Sequence, residues 1–272
     1  MIDLKGNPFT LTDEQIAWVR DTLEGLSDEE KIGQLFCVMG GDYAPETLKE
    51  MAAKGKMGGV LFRPVKPCEE IRADYAPLDA VAKVPLLKAA NLEEGGSGGM
   101  SDGTLFGWPM LTAATDDAET ADRFGVVCAV EGRRAGINWT FSPVCDLDLN
   151  YLNPITNVRT FGSDPDRVQK MTAHYVAAVQ SRGMAACAKH FPGDGVDYRD
   201  QHLHPTYNTL AADRWYASYG AVYRNLIRQG LLSIMVGHIG QPYVAKEANP
   251  DLSDEELALP ASLSKTLLTD VL

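Results

Sequence analysis

Short apolar runs alternate with amphipathic stretches along the chain. The runs at 34–39, 59–62, 84–90, 138–144, 185–190 and 231–236 predict buried strands. The stretches between them carry helix signals. Leu11-Thr12-Asp13-Glu14-Gln15-Ile16 reads as a start, with Thr12 as cap, Gln15 as its capping-box partner, and Leu11 and Ile16 as the staple. That helix turns Ile16, Val19 and Leu23 to one side, and Ser27 with Glu30 begins a second, shorter one. A helix over about 117–134 stops at Gly136. Another has Asp164 as cap, Pro165 in its first turn and Gly183 beyond its end. A third spans about 212–228 and stops at Gly230. Strand–helix alternation of this kind predicts a parallel sheet, closed as a barrel or doubly wound.

Polar residues at the strand ends choose between those two. Glu93-Glu94, Asp146 with Asp148, Lys189-His190 and His238 each fall at or just past the C-terminal end of a predicted strand. A (β/α)8 barrel builds its site at that rim, from several strands at once. A doubly wound sheet would gather function at one switch point, often with a phosphate-binding glycine loop. Gly95-Gly96-Ser97-Gly98-Gly99 lacks the spacing of such a loop. The expected fold is therefore α/β, of the (β/α)8 TIM-barrel type, with about six of eight strand–helix units in one domain over 1–272. The helical pattern of Leu263, Leu267, Leu268 and Val271 points toward a seventh strand. An open six-stranded barrel would leave two apolar edges unpaired, so a C-terminal segment or a second chain is expected to complete it.

Composition narrows the partners. The net charge is −12, and no basic stripe is visible, which argues against a nucleic-acid partner. The five cysteines (Cys37, Cys68, Cys128, Cys145, Cys187) are odd in number and scattered, and three lie in strand-like runs, where a thiol behaves as a small hydrophobe. No Cys/His spacing suggests a metal, and no nucleotide fingerprint suggests an organic cofactor. Neither a basic-then-apolar leader nor a run of about 20 apolar residues appears. The expectation is a protein of the reducing cytoplasm, not engaged with a membrane.

The chemistry concentrates in Lys189-His190-Phe191-Pro192-Gly193-Asp194-Gly195 and the loop Val196-Asp197-Tyr198-Arg199-Asp200-Gln201-His202 that follows. An apolar strand ends on a cation and an imidazole, breaks at Pro and Gly, and delivers an Asp-x-His pair. In an extended loop, residues two apart point to one side, so Asp200 could orient one nitrogen of His202 and leave the other for proton transfer. A bare Asp-x-His is usually just a solvated loop; its position after the strand-end motif changes that reading. A buried Lys189 needs a partner to offset its desolvation.

These residues resemble glycoside hydrolase family 3, in its β-N-acetylhexosaminidase-like branch, which carries Lys-His-Phe-Pro-Gly-x-Gly and a following Asp-x-His. The likeness runs from Leu26-Ser27-Asp28-Glu29-Glu30 to Leu263 and Leu267. It implies His202 as proton donor, Asp200 as its orienter, and sugar contacts from Lys189, His190 and Arg159. His204 lacks an Asp two residues before it and ranks second as acid; His174 is expected to face solvent. Two departures stand out. The branch usually shows Asp-Gln-Glu-Gly-Gly followed by arginines, where this chain has Leu92-Glu93-Glu94-Gly95-Gly96, leaving Glu93 or Asn91 to contact a hydroxyl or the sugar to differ. The family's nucleophile is an Asp after the seventh strand, whereas Asp270 lies in a helical pattern and reads as a surface carboxylate.

The implied activity is retaining exo-hydrolysis of a terminal β-linked N-acetylglucosamine, or a related β-sugar, without metal or cofactor. The alternatives are a β-glucosidase-like exo-glycosidase or a glycoside phosphorylase of the same family, and a non-catalytic carbohydrate-binding barrel lacking the nucleophile.

Overall fold

A computed structural model describes residues 2–63 and 65–272. The chain opens with α1 (Asp13–Gly25) and α2 (Asp28–Gly33), both closed by capping boxes. Thr12 accepts from the Gln15 N–H while the Gln15 side chain accepts from the Thr12 N–H, and Ser27 with Glu30 repeats the exchange. There follow β1 (Cys37–Met39), α3 (Pro45–Ala53), β2 (Gly59–Leu61), α4 (Cys68–Asp79), β3 (Leu87–Ala90), α5 (Pro109–Ala114), α6 (Ala118–Arg134) and β4 (Trp139–Thr140). Next come α7 (Pro165–Gln180), β5 (Ala185–Phe191), β6 (Thr206–Tyr207), α8 (Ala212–Ala217), α9 (Tyr219–Arg228), β7 (Ser233–Val236), β8 (Ile239–Gly240), α10 (Pro242–Ala248) and α11 (Asp254–Leu257). Each of the six predicted apolar runs holds a strand; five are shorter than the run, and β5 reaches one residue past it, to Phe191. The chain divides into two compact units.

The first unit comprises Met1–Phe106, Val126–Thr140 and Val179–Ala185. Its strands β1 to β4 pair in chain order and all in parallel, with Cys37 opposite Gly59, Gly59 opposite Leu87, and Ala89 opposite Trp139. Parallel pairing of successive strands requires a crossover each time, supplied by α3 between β1 and β2, by α4 between β2 and β3, and by the stretch carrying α5 and α6 between β3 and β4. The Asn138 side chain extends the ladder by one rung, accepting from the Lys88 N–H at 2.7 Å and donating to the Leu86 carbonyl at 3.0 Å. Val60, Ile71, Leu78, Leu86, Ala89 and Ile137 form a buried apolar core.

The second unit comprises Gly107–Gly125, Phe141–Ala178 and Ala186–Leu272. Here β5 pairs in parallel with β7, and the register shifts between Lys189 and Phe191. The short strands β6 and β8 also pair in parallel. The single helix expected over 212–228 is in fact two, α8 and α9, separated at Ser218. Each half is pinned by its own aromatic residue: Trp215 Nε1 donates to the Pro192 carbonyl at 2.7 Å, and the Tyr219 hydroxyl to the Asp194 carbonyl at 2.6 Å. Ser218 Oγ donates back to the Arg214 carbonyl at 2.7 Å, closing the first half. Asp270 is exposed on the helical turn Leu267–Val271, as the sequence suggests. Among the described residues, no helix is long and apolar enough to cross a membrane. Cys37 is exposed, unlike the other four cysteines, which are buried; none of the five forms a disulfide.

Candidate active site

The end of β5 is held from the 142–146 segment. Lys189 N–H donates to the Pro143 carbonyl at 3.1 Å, and the Lys189 carbonyl accepts from the Cys145 N–H at 2.8 Å. That pairing delivers Asp146 to His190. The Asp146 carboxylate, fully buried, accepts from His190 Nδ1 at 2.7 Å, from the His190 N–H at 3.1 Å and from the Asp194 N–H at 2.8 Å. Burial works against its charge, yet His190 and the two backbone donors hold its pKa below the ordinary carboxylate value. An anion on Nδ1 fixes the proton there and leaves Nε2 of His190 as the ring nitrogen that Asp146 does not engage.

Asp194, two residues into the Pro-Gly-Asp-Gly turn, has the opposite environment. Burial and the nearby Asp146 charge raise its pKa, although the Gly195 N–H and the Asn153 amide donate to it at 2.7 and 2.8 Å. The turn is possible only because Gly193 is a glycine: its φ is +119°, and a Cβ there would lie 2.1 Å from the Tyr219 ring.

Asp200 and His202 follow on the next loop. His202 Nδ1 lies 2.7 Å from Asp200 Oδ1, which also accepts the His202 N–H at 2.8 Å. The backbone is not extended at this point. Leu203 and His204 N–H both donate to the Asp200 carbonyl, so the pair meets through a tight turn capped by the aspartate side chain. Contacts with His202 lower the Asp200 pKa, the backbone N–H contributing most, so the carboxylate stays ionised beside the imidazole. The His202 side chain is 62 % exposed, and its ring lines a cavity of about 480 Å³ together with His204, Tyr207, His238, Ser262 and Leu263. His238 Nδ1 lies 3.0 Å from the Ser262 hydroxyl.

Arg159 ends the short turn Asn157–Arg159 and donates to the Ile155 carbonyl at 3.1 Å. Asn153 ties this segment to the strand end. Its Oδ1 accepts from the Ile155 and Thr156 N–H groups, and its Nδ2 donates to Asp194 and to the Asp197 carbonyl. Lys189, His190, Arg159, Asp200 and His202 thus all belong to the second unit, and Asn153, Asp194 and Gln201 connect their segments. Glu93 belongs to the first unit, buried just past β3. Leu92, the apparent replacement for a sugar-binding Asp, is a core residue there: a Cβ on Gly99 or Gly132 would meet its methyl carbons at 2.8 and 2.9 Å. Its side chain packs in an apolar site rather than offering a hydroxyl contact.

His174, expected simply to face solvent, is half-exposed and 3.1 Å from Asp122. Four residues of the network carry little or no signal of a site in the sequence. Asp146 is visible there only as a strand-end carboxylate, Asp194 only as part of the motif, and Gln201 only as the residue inside the dyad. Asn153 carries no sequence signal. Among the described residues, no group of three or more His, Cys, Asp or Glu is arranged to hold a metal ion.

The profile of the glycosyl hydrolase family 3 N-terminal domain matches residues 27–272. A β-N-acetylglucosaminidase/β-glucosidase from Cellulomonas fimi is 45% identical over 272 residues, which is 100% of this chain and 48% of that protein. Among solved structures, the β-glucoside phosphorylase BglX superposes with a TM-score of 0.91 at 46% identity, covering 97% of this chain and 47% of that one. A family 3 β-N-acetylglucosaminidase from Paenibacillus sp. superposes with a TM-score of 0.79 at 27% identity, over 89% of this chain and 46% of that one. The chain therefore spans about half the length of these relatives.

Proposed function

Because the chain belongs to glycoside hydrolase family 3, with an α/β fold of the TIM-barrel type, we propose that it carries the acid/base and sugar-binding half of a retaining exo-β-glycosidase. The observation that carries this reading is the 2.7 Å contact between His202 Nδ1 and an ionised Asp200, on an exposed loop beside a cavity. With Asp200 holding Nδ1–H, a doubly protonated His202 gives its Nε2 proton to the glycosidic oxygen as the C1–O bond breaks and a nucleophilic carboxylate bonds to C1. The neutral ring then takes a proton from water in the second step, as water's oxygen joins C1 and the C1–carboxylate bond breaks. A His acid of this kind does not depend on the raised carboxyl pKa that a Glu acid requires. Lys189, Arg159 and Nε2 of His190 are proposed to hold the sugar. The attacking carboxylate is proposed to come from the segment or second chain that completes the barrel. The substrate class is a terminal β-linked N-acetylglucosamine or glucose, as the name of the Cellulomonas relative suggests, and five cysteines outside any disulfide favour a reducing cytoplasm.

A second reading is phosphorolysis. The similarity to a β-glucoside phosphorylase supports it, and so does chemistry: a neutral imidazole does not repel an incoming phosphate as a carboxylate base would. Two measurements on the full-length protein test the proposal. His202→Ala should lower turnover of an aryl β-N-acetylglucosaminide by about 10²–10⁴-fold, and undiminished turnover would remove His202 from the mechanism. Products formed with and without inorganic phosphate separate the readings: a sugar 1-phosphate supports phosphorolysis, and free sugar alone supports hydrolysis.

A further inference from the structure

We infer that Gln201, the residue between the two members of the dyad, is the positioning residue that sets where His202 delivers its proton. This inference rests on the proposed role of Asp200 and His202. Gln201 points opposite to its neighbours. It is 6 % exposed, whereas the His202 side chain is 62 % exposed and that of Asp200 26 %. Its Nε2 donates to Asp194 Oδ2 at 2.8 Å, and its Oε1 accepts from the His238 N–H at 3.0 Å. The amide orientation is chemically determined, because a backbone N–H can only donate and so must face Oε1. Space for the amide comes from Gly237, where a Cβ would lie 3.0 Å from Oε1.

Gln201 is thus a plug between two fixed points. Asp194 is held by Asn153 and Gly195, and its own N–H is bound by Asp146, the partner of His190. His238 lies just past β7. The strand-end residues proposed to grip the sugar and the loop proposed to protonate it are therefore joined through one buried amide. An exposed turn anchored at its middle residue transmits any shift of that anchor to both flanking side chains. Misplacement of a catalytic group by about 1 Å can cost on the order of 10²-fold in rate.

Proton donation matters most when the leaving group is poor, which gives a readout that a merely structural role would not move. In the full-length protein, kcat/KM is measured on phenyl and 2,4-dinitrophenyl β-glycosides for the wild type, Gln201→Met, Gln201→Asn and His202→Ala, with a melting temperature for each. Gln201→Met keeps the volume and loses both hydrogen bonds. It should lose about 10–10²-fold on the phenyl glycoside and little on the dinitrophenyl one. Gln201→Asn, one methylene short, should show the same selectivity to a smaller degree, and it decides the matter should the Met variant not fold. Equal losses on both substrates in a folded variant overturn the inference. Should His202→Ala itself show no leaving-group selectivity, the dyad assignment fails, whatever Gln201 does.

Discussion

Asp146 offers the sharpest quantitative prediction, because its three hydrogen bonds define one end of the network. The carboxylate is fully buried and accepts from His190 Nδ1, the His190 N–H and the Asp194 N–H. Asp146→Asn keeps one acceptor but removes the charge, and its new NH₂ faces the His190 ring. Hydrogen bonds to charged groups contribute about 1.5–3 kcal/mol each, so losing the charge-assisted bond to His190 should cost about that much. Asp146→Ala strands an imidazole and two backbone donors and should cost more, about 3–5 kcal/mol, the range for breaking a buried pair. For a domain of this size, ~2–4 °C of melting temperature corresponds to 1 kcal/mol. The Asn variant should therefore melt about 3–12 °C lower at pH 7, and the Ala variant lower still. The pH dependence has a definite sign. The folded-state pKa of Asp146 is depressed, so its stabilisation is present above the unfolded value and lost as pH falls through the folded one. The gap between wild type and Asp146→Asn should stay constant from neutrality down to about pH 4 and narrow only below it. Melting curves of wild type and both variants across pH would check this. An Ala variant as stable as wild type, or a gap that closes between pH 7 and 5, would refute the reasoning.

Other perturbations follow from the same geometry. Gly193→Ala would place a Cβ 2.1 Å from the Tyr219 ring at φ +119°, and should yield little folded protein; a wild-type circular dichroism melt would contradict the packing described. Trp215→Phe removes the donor to the Pro192 carbonyl while keeping an aromatic ring near Phe191, and should cost about 1–3 kcal/mol, read from urea unfolding midpoints. Asn153→Asp sets a carboxylate 2.8 Å from Asp194, so it should destabilise the protein more at pH 7 than near pH 4, as thermal melts at the two pH values would show.

Where function and local rules coincide, the sequence is readable. The capping boxes at Thr12 and Ser27 depend on residues three apart and form as expected. The six apolar runs each hold a strand, because continuous hydrophobicity survives whatever packs on it. Helices α3, α5 and α10 escape notice because they are short, at nine, six and seven residues, and α4 because Pro77 interrupts its pattern. The Asp200–His202 pair is legible as composition but not as geometry: a capped turn, rather than extended backbone, brings the two together. The Asp146–His190 contact joins residues 44 apart. Gln201 and Asn153 act only through partners that chain order does not reveal. Leu92 reads as a lost sugar ligand, and only its packing against two glycines shows the position as core.

The central claim is that His202 supplies the proton in a retaining reaction, and chemical rescue tests it most directly. In the full-length protein carrying His202→Ala, azide can take over the second step without needing a base. The account predicts that azide restores turnover of a 2,4-dinitrophenyl β-glycoside and that the product is the β-glycosyl azide, identified by its anomeric coupling in NMR. No rescue in a folded variant, or an α-glycosyl azide, would contradict it.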